Sequence, residues 1–128
     1  MKILVIDDDR RLLAAIADIL GRHNFSGDYV DNADEAVKMV TTSQYDFILL
    51  DYRMPEHDGL WFLKNANIHK NTKILLVTSY ADRHLIRQMF HAGIAGYIMK
   101  PFDEEELIRH LEFHADKGLN VPVGRVSA

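Results

Sequence analysis

Short apolar runs alternate along this chain with longer segments in which apolar residues recur at the period of a helix. The runs occupy residues 3–6, 47–50, 74–77 and 97–99, and a weaker fifth run lies at residues 29–30. Their length and their β-branched and aromatic content favour buried strands of a parallel sheet, although periodicity alone does not distinguish them from helix fragments. Strict alternation with short links predicts an α/β fold, a doubly wound five-stranded parallel sheet with five helices.

The segments between the runs carry apolar residues at steps of three and four, so one face of each predicted helix would cover the sheet. The repeating positions are Leu12, Leu13, Ile16, Ile19, Leu20 and His23; Ala33, Ala36, Val37 and Val40; Leu60 and Leu63; Ile86, Met89, Phe90 and Gly93; and Leu107, Ile108, Leu111 and Ala115. The pattern stops after Lys117. We therefore expect one domain over residues 1–117 and a tail or the start of a linker over residues 118–128.

Composition excludes several classes of protein. The chain has no cysteine, which excludes disulfides, zinc–thiolate sites and thiol nucleophiles. Its apolar runs are too short to span a membrane, and its first residues do not form a signal peptide. Fifteen Lys and Arg against nineteen Asp and Glu give a net charge of −4 without a basic stripe, which disfavours direct binding of nucleic acid. We expect a soluble, cytoplasmic domain.

The most unusual polar residues stand at the ends of the predicted strands. The first strand is followed by Asp7-Asp8-Asp9, the third by Asp51, the fourth by Thr78-Ser79 and the fifth by Lys100-Pro101. Open parallel sheets bind ligands outside the carboxyl ends of their strands, where the strand order reverses. Acidic groups, a hydroxyl and an ammonium are therefore expected to converge in one crevice.

This combination of side chains suits phosphoryl chemistry. Neighbouring carboxylates repel one another unless a cation shares their site, and ligation by oxygen alone suits Mg²⁺, which also binds phosphate oxygens. Lys100 would add a compact positive charge and Thr78 a hydroxyl donor, and such groups stabilise a phosphoryl group during transfer. A carboxylate can itself be the nucleophile, which would give an aspartyl phosphate.

Each of these residues also has a purely structural explanation. An aspartate after a strand is a common helix cap, and we interpret Asp9 as the cap of the first helix rather than as a ligand. Asp51 and Thr78 could simply end their strands, and Lys100 could be a solvated loop residue. Matching chemistry at four separate strand ends is improbable by accident, and it favours the functional interpretation.

Four motifs follow one another in a fixed order. They are Ile3-Leu4-Val5-Ile6-Asp7-Asp8-Asp9, then Leu49-Leu50-Asp51-Tyr52-Arg53-Met54-Pro55 with Asp58-Gly59, then Val77-Thr78-Ser79, and finally the segment from Ala92 to Phe102. Each motif alone is weak, but the ordered set is specific and extends over residues 1–117. It resembles the receiver domain of two-component response regulators. The resemblance implies a flavodoxin-like sheet with strand order 2-1-3-4-5 and five helices.

The resemblance also implies a phosphoacceptor and a metal site. Asp51 would accept a phosphoryl group from a phosphohistidine on a sensor histidine kinase or a phosphotransfer protein. Asp8 and Asp51 would bind Mg²⁺ through their side chains, Asp7 would help through water, and the backbone carbonyl of Arg53 would complete the protein's share of the coordination.

The remaining site residues would connect phosphorylation to an output. By resemblance, Lys100 pairs with the phosphoryl oxygens and precedes a cis peptide bond to Pro101. Thr78 hydrogen-bonds the attached group, Ser79 fills a position that requires a small residue, and Tyr97 turns inward as Thr78 moves. The chain would thus be a signalling switch rather than an enzyme with its own substrate, although it would assist its own phosphorylation and dephosphorylation.

An output domain or a partner protein would contact the fourth helix, the fifth strand and the fifth helix. Ala95-Gly96 stands where winged-helix regulators usually have two aspartates that pair across a dimer, and this difference disfavours a dimerising receiver of that subclass. No effector motif follows Lys117. Both a stand-alone protein and a receiver cut from a longer chain remain open, and the tail slightly favours the second.

Three residues bear on how this chain differs from the commonest family pattern. In the family, the positions of Arg53 and Tyr80 tune the loss of the phosphoryl group, and these bulky residues are expected to restrict water. Our hypothesis is a phosphorylated state that outlasts a few seconds. His57 stands where the family often has methionine, and we interpret it as a surface substitution rather than as a metal ligand or pH sensor.

Three rival interpretations are weaker. A phosphatase of the haloacid dehalogenase type would use Asp7 as nucleophile, but Arg11 stands where that family has Thr or Val, and Asp51 would be left without a role. A flavodoxin would need Ser, Thr and Gly after the first strand, where this chain has three anions. A receiver-like module that works without phosphorylation is disfavoured because every acceptor-site position is filled.

Overall fold

The structure is a computed structural model and describes residues 1–119. Strands and helices alternate in the order β1 (Lys2–Ile6), α1 (Arg10–Arg22), β2 (Ser26–Val30), α2 (Ala33–Thr42), β3 (Phe47–Leu50), α3 (Gly59–Asn65), β4 (Lys73–Thr78), α4 (Arg83–Ala92), β5 (Gly96–Met99) and α5 (Glu104–Leu119). All five predicted strands and all five predicted helices are present. The boundary expected after Lys117 stays a prediction, since most of the expected tail lies outside the described residues.

The five strands form one parallel sheet in the order β2-β1-β3-β4-β5, which confirms the expected topology. The chain moves from β1 to β2 on one side of β1 and later to β3 on its other side. The strand order therefore reverses between β1 and β3, and a crevice opens there at the carboxyl ends of the strands. Asp7 and Asp51, which directly follow these two strands, stand at its mouth.

The sheet separates two apolar cores because successive side chains of a strand point to opposite faces. On one face α2, α3 and α4 pack over Leu4, Ile6, Ile48 and Leu50. On the other face α1 and α5 pack over Ile3, Val5, Leu49 and Leu75. The inner strands are buried on both sides, and for this reason they read as continuous apolar runs in the sequence.

Helix α4 differs in one respect from its sequence pattern. Its buried residues are Leu85 and Met89, whereas Phe90, predicted for the core face, is 44% exposed. The Phe90 ring meets the Tyr97 ring edge to face, with centroids 6.4 Å apart. The apolar stripe of α4 therefore extends from the core onto a surface shared with β5.

Three aspartates are the N-caps of helices α1, α3 and α4. Asp9 accepts hydrogen bonds from the backbone N–H groups of Arg11 and Leu12, which confirms that it caps α1. Asp58 and Asp82 cap α3 and α4 in the same way. No helix in the described part of the chain combines the length and the apolar character needed to cross a bilayer.

Candidate functional site

Three carboxylates meet at the switch point of the sheet. Asp7 and Asp51 are 2% and 6% exposed, whereas Asp8 faces solvent. Each of the three offers one carboxylate oxygen, and these oxygens lie within 4.8 Å of one another. The backbone fixes this arrangement, since the Asp51 N–H donates to the Ile6 carbonyl and so continues the ladder between β1 and β3.

The electrostatics of the site favour a bound cation. Burial raises the pKa of Asp51 to about 6, the charge of Asp7 also acts to raise it, and Lys100 only partly opposes the two. The donor set consists of oxygens only, two buried and one exposed, and this composition fits Mg²⁺, which binds through few carboxylates and retains water. The site is therefore chemically suited to the metal expected from the sequence.

Lys100 reaches this cluster from the end of β5. Its Nζ atom lies 2.8 Å from Oδ2 of Asp7 and 3.4 Å from Oδ1 of Asp51. Burial lowers the pKa of Lys100, but the hydrogen bond to Asp7 and the charge of Asp51 outweigh burial, so the net shift is upward. The Lys100–Pro101 bond is cis, as expected. The ammonium is thus held in its charged form beside the expected acceptor.

Thr78 and Tyr97 occupy two different environments. Thr78, the last residue of β4, is buried, and its hydroxyl oxygen accepts a hydrogen bond from the Tyr80 N–H at 3.1 Å. Its carbonyl accepts the Lys100 N–H, which joins the ends of β4 and β5. Ser79 is exposed, and the Tyr97 ring lies outward with 40% of its surface accessible.

Arg53 and Tyr80 form a contact that the sequence alone did not indicate. The Arg53 guanidinium carbon lies 4.7 Å from the centroid of the Tyr80 ring, in cation–π geometry. Arg53 follows Asp51 by two residues, and Tyr80 follows Thr78 by two. Arg53 thus lies three residues past the end of β3 and Tyr80 two residues past the end of β4, and this shared position after neighbouring parallel strands is the signal that would have predicted the pair.

His57, which the sequence suggested to be only a surface substitution, contacts two other side chains. Its Nδ1 atom lies 2.5 Å from Oδ1 of Asp34, and its ring stacks on Trp61 with centroids 3.7 Å apart and planes inclined by 5°. The four-residue step from His57 to Trp61 suggests neighbours at the start of a helix. No local pattern points to Asp34, which lies 23 residues away.

The sequence and the site agree with one known family. A family model described as "Response regulator receiver domain" matches residues 3–112. The chain belongs to this family.

Relatives of this receiver domain include the transcriptional regulatory protein ResD of Bacillus subtilis (strain 168), 36% identical over 107 residues that cover 84% of this chain and 45% of ResD. SrrA of Staphylococcus aureus (strain NCTC 8325 / PS 47) is 31% identical over 107 residues that cover 84% of this chain and 44% of SrrA. The receiver domain thus spans less than half the length of these relatives.

Solved structures share its fold. The CheY-like receiver domain from Methanospirillum hungatei JF-1 superposes with a TM-score of 0.86 at 25% identity and covers 91% of this chain and 94% of that one. A two-component response regulator from Clostridium difficile gives a TM-score of 0.87 at 24% identity, with 94% and 99% covered. The second similarity shows the fold alone. Together they confirm the predicted flavodoxin-like architecture.

Proposed function

We propose that this receiver domain is a phosphorylation-activated switch in which Asp51 is the phosphoacceptor. The observation that carries the proposal is the environment of Asp51, a buried carboxylate held between a second buried carboxylate, Asp7, and the ammonium of Lys100. The donor would be the phosphohistidine of a sensor histidine kinase or of a phosphotransfer protein. These partners suit a cytoplasmic domain.

The metal site would be formed by Asp7, Asp8, Asp51 and the backbone carbonyl of Arg53. A bound Mg²⁺ would neutralise these carboxylates and bind phosphoryl oxygens, which permits an anionic donor to approach an anionic acceptor. The residues of the chain supply the remaining functions. Burial keeps bulk water away from Asp51, and the backbone ladder to Ile6 fixes its direction.

In the transfer step one carboxylate oxygen of Asp51 forms a bond to phosphorus as the donor's N–P bond breaks. The departing imidazole nitrogen keeps the electron pair of that bond and can later take a proton. Lys100 is placed to donate to a phosphoryl oxygen, since its ammonium already lies 3.4 Å from Asp51. The negative charge of the phosphoryl group is spread over its three outer oxygens during transfer, so a fixed ammonium beside them stabilises the transition state.

The conformational response would start at Thr78 and end at Tyr97. The Thr78 hydroxyl lies at the end of the strand next to β3, where it can donate a hydrogen bond to the phosphoryl group. Forming this bond would move the hydroxyl oxygen, which now accepts a hydrogen bond from the Tyr80 N–H, and would displace the loop that carries Tyr80. Tyr97 lies outward, in contact with Phe90. Phosphorylation would shift an existing equilibrium toward the state in which Tyr97 is turned inward.

The output surface would be the α4–β5–α5 face. Large apolar side chains are exposed there, namely Phe90, Tyr97, Met99 and Phe113. A Cβ at Gly96 would lie 2.7 Å from Nε2 of His114, so the strand has no room for an aspartate at that position without movement. We propose that an output domain or a partner protein docks on this face, and that the net charge of −4 keeps the domain itself off nucleic acid.

Intact mass after incubation with acetyl phosphate and Mg²⁺ tests the proposal. The wild-type chain should gain one phosphoryl group, the gain should disappear with EDTA, and Asp51→Asn should gain nothing. Asp9→Asn is the matched control, because this neighbouring aspartate caps α1 and asparagine caps equally well. Labelling of Asp51→Asn, or release of phosphate from small phosphoesters that depends on Asp7, would contradict the assignment.

A further inference from the structure

His57 connects the loop that follows Asp51 to two helices. Its Nδ1–H donates to the Asp34 carboxylate in the first turn of α2, because a carboxylate can only accept. Its ring lies flat on Trp61 in the first turns of α3. The hydrogen bond to a charged carboxylate fixes the direction of the Nδ1–H, and the ring stack fixes the plane of the imidazole.

The loop that His57 holds follows a tight path. Glu56 has a left-handed backbone, with φ of +70°, which a residue other than glycine adopts only where its surroundings enforce it. The His57 N–H donates to the Pro55 carbonyl at 2.8 Å, and the Gly59 N–H donates to the Tyr52 carbonyl at 2.8 Å. The far end of the loop is thereby closed back onto the residue after Asp51.

We infer that His57 is a positioning residue for the divalent cation at Asp7, Asp8 and Asp51, because it holds the loop whose Arg53 carbonyl is the remaining protein ligand. The inference rests on the proposed function, which assigns that carbonyl to the metal. A ligand carried by a loop binds only as well as the loop is ordered, and residues behind a ligand set metal affinity for this reason.

Two variants remove the hydrogen bond between His57 and Asp34 but keep the ring stack on Trp61. His57→Phe keeps a ring over Trp61 but has no donor for Asp34, and Asp34→Ala removes the acceptor while the stack remains. Asp34→Ala also removes a negative charge, which by itself weakens cation binding. The double variant corrects for this, because the loss caused by His57→Phe should largely vanish once Asp34 is absent.

Mg²⁺ titration of the full 128-residue chain by isothermal calorimetry tests the inference, with emission of Trp61, the single tryptophan, as the spectroscopic signature. His57→Ala should weaken Mg²⁺ binding about 3–10-fold, less than the roughly 10–100-fold effects of groups that bond directly to a metal ligand. Mg²⁺ should change Trp61 emission in the wild type and less so in His57→Ala. His23→Ala is the matched control, since His23 also contacts a carboxylate, Glu104 at 2.9 Å, on the opposite face of the sheet.

The outcomes are distinguishable. A wild-type chain that does not bind Mg²⁺ would overturn the proposed function itself. A wild-type chain that binds Mg²⁺ with the same affinity as His57→Ala would overturn only the role of His57, as would a lower melting temperature at unchanged affinity. If His57→Ala fails to fold, His57→Phe decides: a loss of Mg²⁺ affinity that largely vanishes in the Asp34→Ala background supports the inference, and an unchanged affinity overturns it.

Discussion

Lys100 and Asp7 form the shorter of the two ion pairs at the site, with Nζ 2.8 Å from Oδ2 of an almost fully buried carboxylate. Asp51 is the more distant partner of the same ammonium, at 3.4 Å. In this arrangement Lys100 neutralises Asp7 and leaves an oxygen of Asp51, the proposed phosphoacceptor, available. The ammonium therefore serves as the resident counter-ion of the site before any phosphoryl group arrives.

The first prediction concerns removal of that counter-ion. Lys100→Ala should still bind Mg²⁺, since all three carboxylates remain, and should bind it at least as tightly because no ammonium competes for Asp7. Phosphorylation by acetyl phosphate and the response of the α4–β5–α5 face should both be impaired. Calorimetric titration measures the Mg²⁺ binding and intact mass measures the phosphorylation, and exposed Lys70 provides the control Lys70→Ala. Loss of Mg²⁺ binding in Lys100→Ala would contradict this account.

The second prediction follows from the raised pKa of Asp51, about 6 in the folded chain against 3.8 ordinarily. Between these values the folded state keeps a proton that the unfolded state releases, so the free energy of unfolding falls as the pH rises through this window. One pKa unit corresponds to about 1.4 kcal/mol. In EDTA at about pH 7.5, Asp51→Asn should therefore unfold with a free energy about 1–3 kcal/mol higher than the wild type.

Urea denaturation in EDTA from about pH 4 to about pH 7.5 checks this difference, because the range runs from the ordinary pKa of an aspartate to above the raised one. The gap between Asp51→Asn and wild type should narrow as the pH falls through about 6 toward about 4. Asp18→Asn, a change at an exposed aspartate of α1, is the control and should give a gap near zero. A wild type more stable than Asp51→Asn at about pH 7.5, with the difference lost toward acid, would mean that the carboxylate is stabilised in its ionised form.

The third prediction concerns the Arg53–Tyr80 pair. The guanidinium over the ring links the loop after β3 to the loop after β4, and we expect it to slow the entry of water to phosphorylated Asp51. The phosphorylated state should outlast a few seconds. Arg53→Ala or Tyr80→Ala should shorten its lifetime about 2–10-fold, the change in rate that a cation–π energy of about 0.5–1.4 kcal/mol produces.

Decay followed by intact mass after removal of acetyl phosphate, with Mg²⁺ present, measures this lifetime. Tyr80→Phe is the matched control, because it keeps the ring beneath the guanidinium and should keep the wild-type lifetime. Rapid decay of the wild-type phosphoform, or equal lifetimes for Tyr80→Ala and Tyr80→Phe, would show that the pair does not exclude water.

The parts of the structure that the sequence predicted are those that depend on near neighbours. The runs at β1 and β3, the helix period and the Asp9 cap are local, and the place of Asp51 follows once the strands are parallel. Contacts between distant residues were not predictable in the same way. His57 meets Asp34 because the loop after β3 and the first turn of α2 converge at the same edge of the sheet. Phe90 is exposed because α4 presents Leu85 and Met89 to the core.

The last prediction compares two glycines at helix positions. A Cβ at Gly59 would lie 2.8 Å from the Asp51 carbonyl oxygen and 3.2 Å from the Tyr52 Cα, both backbone atoms that cannot rotate away. Gly59→Ala should therefore lower the free energy of unfolding by about 1–3 kcal/mol, as overpacking does, and should slow phosphorylation by displacing Asp51. At Gly21 of α1 a Cβ meets nothing within 4 Å, so Gly21→Ala should raise stability by about 0.5–1 kcal/mol.

Urea denaturation of Gly59→Ala and Gly21→Ala beside the wild type measures both signs in one experiment, and intact mass with acetyl phosphate measures the rate. Alanine is the better helix former at both positions, so intrinsic propensity alone would stabilise both variants. Opposite signs therefore isolate the contact of Gly59 with the backbone of Asp51. If Gly59→Ala were stabilised and phosphorylated at the wild-type rate, the start of α3 would be free to move without disturbing the acceptor, and close packing there would not be what holds Asp51 in place.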